Sequence, residues 1–193
     1  MLVASGLALL AMLLLGKTMA NLNKAKLIQD EVSEQARNLR MLDSRLRTIL
    51  GSSQLEGVHL STNGQVISVQ PIAQLSADGE QQWSPLTSVI VYNPPAKTLI
   101  LKSVPFAEAG IASTSLTPVT LADEDLVKLS NATGEIVAEH PGITAATFQL
   151  DPDKASLFVN LHRELRHSRA HQDQPWLETA YGLRSSLALS ASE

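Results

Sequence analysis

From residue 22 to residue 49 the chain places apolar side chains at steps of three and four: Leu22, Ala25, Ile28, Val32, Ala36, Leu39, Leu42, Leu46 and Ile49. That spacing draws one stripe along a helix, while Lys24, Lys26, Asp30, Glu31, Glu34, Arg37, Arg40, Asp43, Arg45 and Arg47 occupy the other faces. Residues 1–16, MLVASGLALLAMLLLG, carry no charge and only Ser5 as a polar side chain. No proline interrupts residues 1–50, and Gly51-Ser52-Ser53 supplies a stop. The pattern therefore predicts one helix over residues 1–50, a rod of roughly 75 Å at the α-helical rise.

The apolar run is of membrane grade but slightly short, because a bilayer core takes about 20 apolar residues of helix. Three readings compete for it. A cleaved secretory signal would want a positive n-region, which is missing here, although Thr18-Met19-Ala20 loosely passes as a cleavage site. A buried core helix fits the length but not the charged, amphipathic sequence that follows without a break. A membrane anchor fits both, so residues 1–20 are expected to form the transmembrane half of the helix and residues 21–50 its amphipathic half. Residues 51–185 are then a mostly β domain and residues 186–193 a tail. The stripe Leu22, Ala25, Ile28, Val32, Ala36, Leu39, Leu42 and Leu46 is expected to be a helix-packing interface. It can face this protein's own β domain, a coiled coil or neighbouring copies of similar helices, with different partners on different stretches.

Beyond the helix the period shortens to two. Residues 59–61 and 65–70 flank Asn63-Gly64, a turn signal, and predict a first strand pair. Residues 75–85, LSADGEQQWSP, are polar and separate it from a clear hairpin of residues 87–92 and 98–103, with Pro94 and Pro95 confined to the connection because proline cannot donate to a ladder. Residues 104–120 read as a surface loop with room for one short strand. Asp123, Glu124 and Asp125 followed by Lys128 suit the dipole of a two-turn helix over residues 121–129. A strand over residues 135–138, a hairpin of residues 148–150 and 156–162 around Pro152, and a last strand over residues 177–183 complete the pattern. The fold class expected is α+β, with the long helix laid on an antiparallel sheet.

Composition narrows the function classes. Of 193 residues none is cysteine, which excludes a disulfide framework, a thiol nucleophile and a cysteine-ligated metal. A net charge of −4 argues against nucleic acid as a partner, since phosphate binding needs a basic patch. Aromatic residues make up 4%, so the core must be aliphatic and stacking platforms are few.

Candidate chemistry is thin. Asp123, Glu124 and Asp125 could offer carboxylates to calcium, but without the spacing of a recognisable loop, and an acidic first helical turn accounts for them. Asp151 and Asp153 flank a proline turn, where aspartate is favoured for backbone reasons. His162, His167 and His171 have spacings that suggest zinc, yet Arg163, Arg166 and Arg169 would surround the cation with positive charge. No nucleophile elbow or glycine-rich phosphate loop is present. Asn131-Ala132-Thr133 matches a glycosylation acceptor, a tripeptide too common to use.

Met1-Leu2-Val3-Ala4 and the helix after it resemble the type IV pilin-like proteins, among them the J-type pseudopilins of type II secretion and the W-type minor pilins. In that family a basic leader ending in glycine, then a segment such as Phe-Thr-Leu-Ile-Glu, precedes a similar greasy helix. Here that leader, glycine and glutamate do not stand before Met1, and the expectation is a chain read from an internal start. Were Met1 the mature start, Ser5 would fall where the family has its glutamate. Leu42-Asp43-Ser44-Arg45-Leu46-Arg47 is similar to the Leu-x-x-Asp-Leu-Arg type of segment that ends the family's first helix, with Arg45 in place of the aspartate. Residues 88–92 and 98–102 resemble its hairpin, and residues 142–148, 155–161 and 176–184 its last strands.

The resemblance implies a non-enzymatic minor pseudopilin or minor pilin; some relatives in that family bind calcium, but the residues here lead us to expect no cofactor and no metal site. It would sit as a single-pass protein in the inner membrane, its partners other pilin-like subunits, its globular domain periplasmic or in a surface filament. The rival expectation is a single-span envelope protein with a β-rich ligand-binding domain, and a third is a secreted enzyme that retains its signal.

Overall fold

The computed structural model describes residues 2–75, 80–153, 155–163 and 176–183, with side chains from residue 12 onward. Helix α1 runs unbroken from Leu2–Gly51. It stops where the sequence withdraws helix formers: the Ser52 hydroxyl donates to the Ile49 carbonyl at 2.8 Å and the Ser53 hydroxyl to the Leu50 carbonyl at 2.9 Å, satisfying acceptors that the last turn leaves open. The structure divides into two compact units, the first containing α1 up to Met41 and the second beginning at Leu42.

In the second unit, strands β1 (Ser53–Leu60), β2 (Val66–Leu75), β3 (Gln81–Trp83), β4 (Leu86–Asn93), β5 (Thr98–Pro105) and β6 (Glu135–Pro141) form an antiparallel sheet. Its order is β1-β2-β4-β5-β6, with β3 also paired to β2. A second antiparallel sheet contains β7 (Ile143–Asp151), β8 (Ser156–Arg163) and β9 (Leu177–Gly182) in that order. A short 3₁₀ turn, Phe106–Ala109, follows β5, and helix α2 spans Asp123–Asn131. The architecture is the expected pilin-like α+β arrangement, a long N-terminal helix whose last turns, from Leu42, pack on antiparallel sheets.

Alternation along the strands sorts the core into two layers. Val66, Val89 and Val104 point to one face, where they are buried with Phe106 of the 3₁₀ turn and Leu126 and Leu129 of α2. Ile67, Ile90, Leu99 and Leu101 occupy the alternate positions and are buried as fully, as are Leu42, Leu46 and Leu50 of α1. Each such aliphatic side chain taken out of water is worth about 1.5–3 kcal/mol, so the last turns of α1 belong to the core of this unit. Two side chains clip them to both sheets: Arg45 donates to the Val137 carbonyl of β6 at 2.8 Å, and Asp43 accepts from the Tyr181 hydroxyl of β9 at 2.8 Å.

Most expected strands are found, usually one to four residues longer than the pattern suggested, and three differences have physical causes. First, β2 continues through Pro71 instead of ending at Gln70. Residues Val66 to Val69 pair with β4 and Ile72 to Leu75 with β3, so the proline falls where the strand changes partner and its missing N–H costs no ladder bond. Second, part of the stretch expected to be a polar connection is strand β3, whose Gln81-Gln82-Trp83 shows no apolar alternation; the buried Trp83 ring anchors it. Third, residues 106–120 contain a 3₁₀ turn and no strand, and this loop is tied to the sheet through polar groups. The Gln70 side chain accepts from the Val119 N–H at 2.8 Å, while the Trp83 N–H donates to the Ser115 carbonyl at 2.8 Å.

The Asn63-Gly64 turn forms as expected, with Gly64 at φ 66° and the Asn63 side-chain oxygen accepting from the Gln65 N–H at 3.0 Å. Pro94 and Pro95 sit in the β4–β5 connection.

Candidate assembly surface and a groove on the second unit

The eight residues expected to form a helix-packing interface separate into groups. Leu42 and Leu46 are 0% and 1% exposed and lie in the core of the second unit. Leu22 and Val32, in the first unit, are 68% and 51% exposed, and Ala25 and Ala36 are exposed as well. Ile28 and Leu39 are half-buried. Met12, Leu13, Leu14, Leu15, Met19 and Leu27 are also open to solvent. One periodic stripe thus contains positions used for internal packing and positions that present bare hydrocarbon.

Among the described residues no helix is long and apolar enough to cross a membrane. The side chains of residues 1–11, which make up most of the apolar run, lie outside that description.

The acidic cluster has structural work that periodicity did not foretell. Asp123 accepts hydrogen bonds from the Thr62 hydroxyl and, at 3.0 Å, from the Thr62 N–H, which fastens the start of α2 to the β1–β2 turn. These bonds hold its carboxyl below the usual range. Asp125 accepts from the Ala122 N–H at 3.3 Å, the side-chain half of a capping box, and from Lys128 at 2.8 Å. The acidic residues at the first turn and the lysine near the last suit the helix dipole. Among the described residues no three carboxylate or histidine side chains come together as a metal-ligand set. Of the histidine run only His162 is described, on β8 opposite Ala145; His167 and His171 lie outside the described residues.

A groove of about 550 Å³ lies between the β1–β2 turn, the β4–β5 connection and the C-terminal end of α2. Val91, Ile100, Val127 and Ile136 contribute apolar walls, and Lys102 is the charged residue among those lining it. Lys102 is 8% exposed, and its ammonium donates to the Ser130 carbonyl at 2.7 Å and the Ala132 carbonyl at 2.6 Å. It thereby closes the open C-terminus of α2 from a neighbouring strand. Burial lowers its tendency to hold the proton. Reading the sequence did not single it out. The available signal was a lysine in step with Ile100 and Val104, at an inward position of strand β5.

No protein-family model, curated protein or solved structure matches this chain.

Proposed function

We propose that this protein is a minor pseudopilin or minor pilin, a non-enzymatic structural and assembly-priming subunit of a type II secretion or type IV pilus filament. Residues 1–20 anchor it in the inner membrane as a single span, with the globular domain periplasmic or in the filament. The observation that carries the reading is the division of one helical stripe. Leu42 and Leu46 are consumed by the protein's own core, whereas Leu22 and Val32 remain open on the same unbroken helix. Leaving such side chains in water forgoes about 1.5–3 kcal/mol each, which sister helices would recover. The pilin-like architecture and the match at Met1-Leu2-Val3-Ala4 support the same reading.

The test is a pair of full-chain variants, Leu22→Asp and Val32→Asp, assayed for co-purification with pilin-like subunits of the host and for thermal unfolding. Loss of association with an unchanged melting transition supports assembly as the role of the stripe. Retained association in both variants sinks it.

A further inference from the structure

We infer that the groove on the second unit binds a small carboxylate bearing an apolar body, with the Lys102 ammonium as the partner of the anion. The inference uses no part of the assembly reading, because every residue lining the groove lies beyond α1.

The argument begins with the donors. A lysine ammonium has three N–H groups, and the hydrogen bonds of Lys102 account for two, both to neutral carbonyls. Asn63, Asn93, Asn131 and Thr133 line the groove, and among the described residues no carboxylate does. The Lys102 side chain is 8% exposed as a whole, and its charge meets carbonyl dipoles, which neutralise it only in part. An incoming carboxylate would take the third N–H in a charge-assisted bond, about twice as strong as a neutral one.

The cavity argues that Lys102 is more than a helix cap. A cap needs only surface carbonyls and a solvated ammonium, whereas Lys102 and both residues whose carbonyls it caps, Ser130 and Ala132, line a space of about 550 Å³, within the range of small-ligand sites. Its mouth carries Val127 and Ile136, both exposed to solvent, so an apolar body has hydrocarbon to cover. Lys102 is the groove's charged donor among the described residues, and that sets the anion. A phosphate dianion is usually held by several donors, while one carboxylate oxygen is satisfied by one.

Two sources present this chemistry: a free short-chain acid, and the C-terminal carboxylate of a peptide ending in an apolar residue. The experiment follows backbone and lysine-ammonium nitrogen signals of the full chain while titrating N-acetyl-leucine, its uncharged amide, and isovalerate. N-acetyl-leucine should give saturable shifts at Lys102 and at residues 127–136, with the amide at least about tenfold weaker. Isovalerate binding as well as N-acetyl-leucine assigns the free acid, and N-acetyl-leucine alone assigns the peptide terminus. Lys102→Met should abolish saturation. Because that variant also uncaps α2, Val127→Glu is the second arm, placing a repelling charge at an exposed position, and should weaken binding at least about tenfold with the fold intact. Equal binding of acid and amide, shifts confined to other residues, no saturable shift up to ~10 mM, or unweakened binding by a folded Val127→Glu variant each overturns the inference.

Discussion

The Tyr181 hydroxyl donates to Asp43 at 2.8 Å, joining the last described strand to the long helix across 138 positions of sequence. Asp43 also accepts from Arg47 one helical turn on at 2.9 Å, and the Arg47 guanidinium lies 5.7 Å from the centre of the Tyr181 ring. Three side chains therefore hold the last turns of α1 against β9. The bond from Arg47, with help from Tyr181, keeps the Asp43 carboxyl below its ordinary range. Burial first, and then the Asp43 carboxylate, pushes the Tyr181 phenol well above its own.

Tyr181→Phe removes one hydrogen bond and keeps the ring, so it should destabilise the protein by about 1 kcal/mol. Leu46→Ala, which opens a cavity in the core, should cost about 2–5 kcal/mol. Urea unfolding of both variants beside Val32→Asp checks the division of the stripe: Leu46→Ala must be clearly less stable than wild type and Val32→Asp must not be.

Alkali should act through the same contact. Tyr181 is harder to ionise folded than unfolded, so its contribution is complete below about pH 10 and is lost as pH rises toward the elevated folded value. Lys102 has the opposite sign: the unfolded chain holds that proton more tightly, so its contribution rises as pH climbs to its ordinary 10.5. Tyr181→Phe should therefore flatten the fall in stability above pH 10, and denaturant midpoints between about pH 9 and 11 measure it.

Acid should act through His140 and His59. Burial, with the charges of Arg45 and Arg163 nearby, holds His140 below its ordinary 6.5, and burial alone does so for His59. The unfolded chain takes up these protons first. Their contribution is thus complete above about pH 6.5 and is lost as pH falls through the depressed folded values. Melting temperatures at pH 7.5, 6 and 5 should decline, and His140→Gln should decline less; a slope unchanged in that variant refutes the assignment.

Gly57 tests how closely β1 and β2 approach. A Cβ there would stand 2.6 Å from the Gln70 carbonyl oxygen and 2.7 Å from the Trp83 ring. Gly57→Ala should cost about 1–3 kcal/mol by overpacking. Gly16→Ala, whose Cβ would meet nothing within 4 Å, should leave the denaturant midpoint of the second unit where it was.

How much of this was legible beforehand follows from what kind of signal each part emits. The helix, the Asn63-Gly64 turn, the proline-bearing connection and the later strands each announce themselves within a few residues, through period, turn chemistry or capping. Pro71 within β2 did not, because its tolerance depends on a change of partner between β3 and β4. Gln81-Gln82-Trp83 did not, because a strand held by one buried ring has no alternation to detect. The groove was illegible for the same reason at larger scale: its walls come from β2, β4, β5, β6 and α2, which no local window contains.

The sequence by itself determined a continuous helix with an apolar stripe and a β domain behind it, since periodicity and turn residues act between near neighbours. Only the tertiary structure decided where that stripe stops being exposed and starts serving the core of the second unit, between Val32 and Leu42. It also decided that Lys102 caps a helix from inside a groove and that Asp43 meets Tyr181. Burial and pairing at such separations depend on which elements pack together, and a stripe of leucines reads the same whether it faces water, a neighbour or the protein's own sheet.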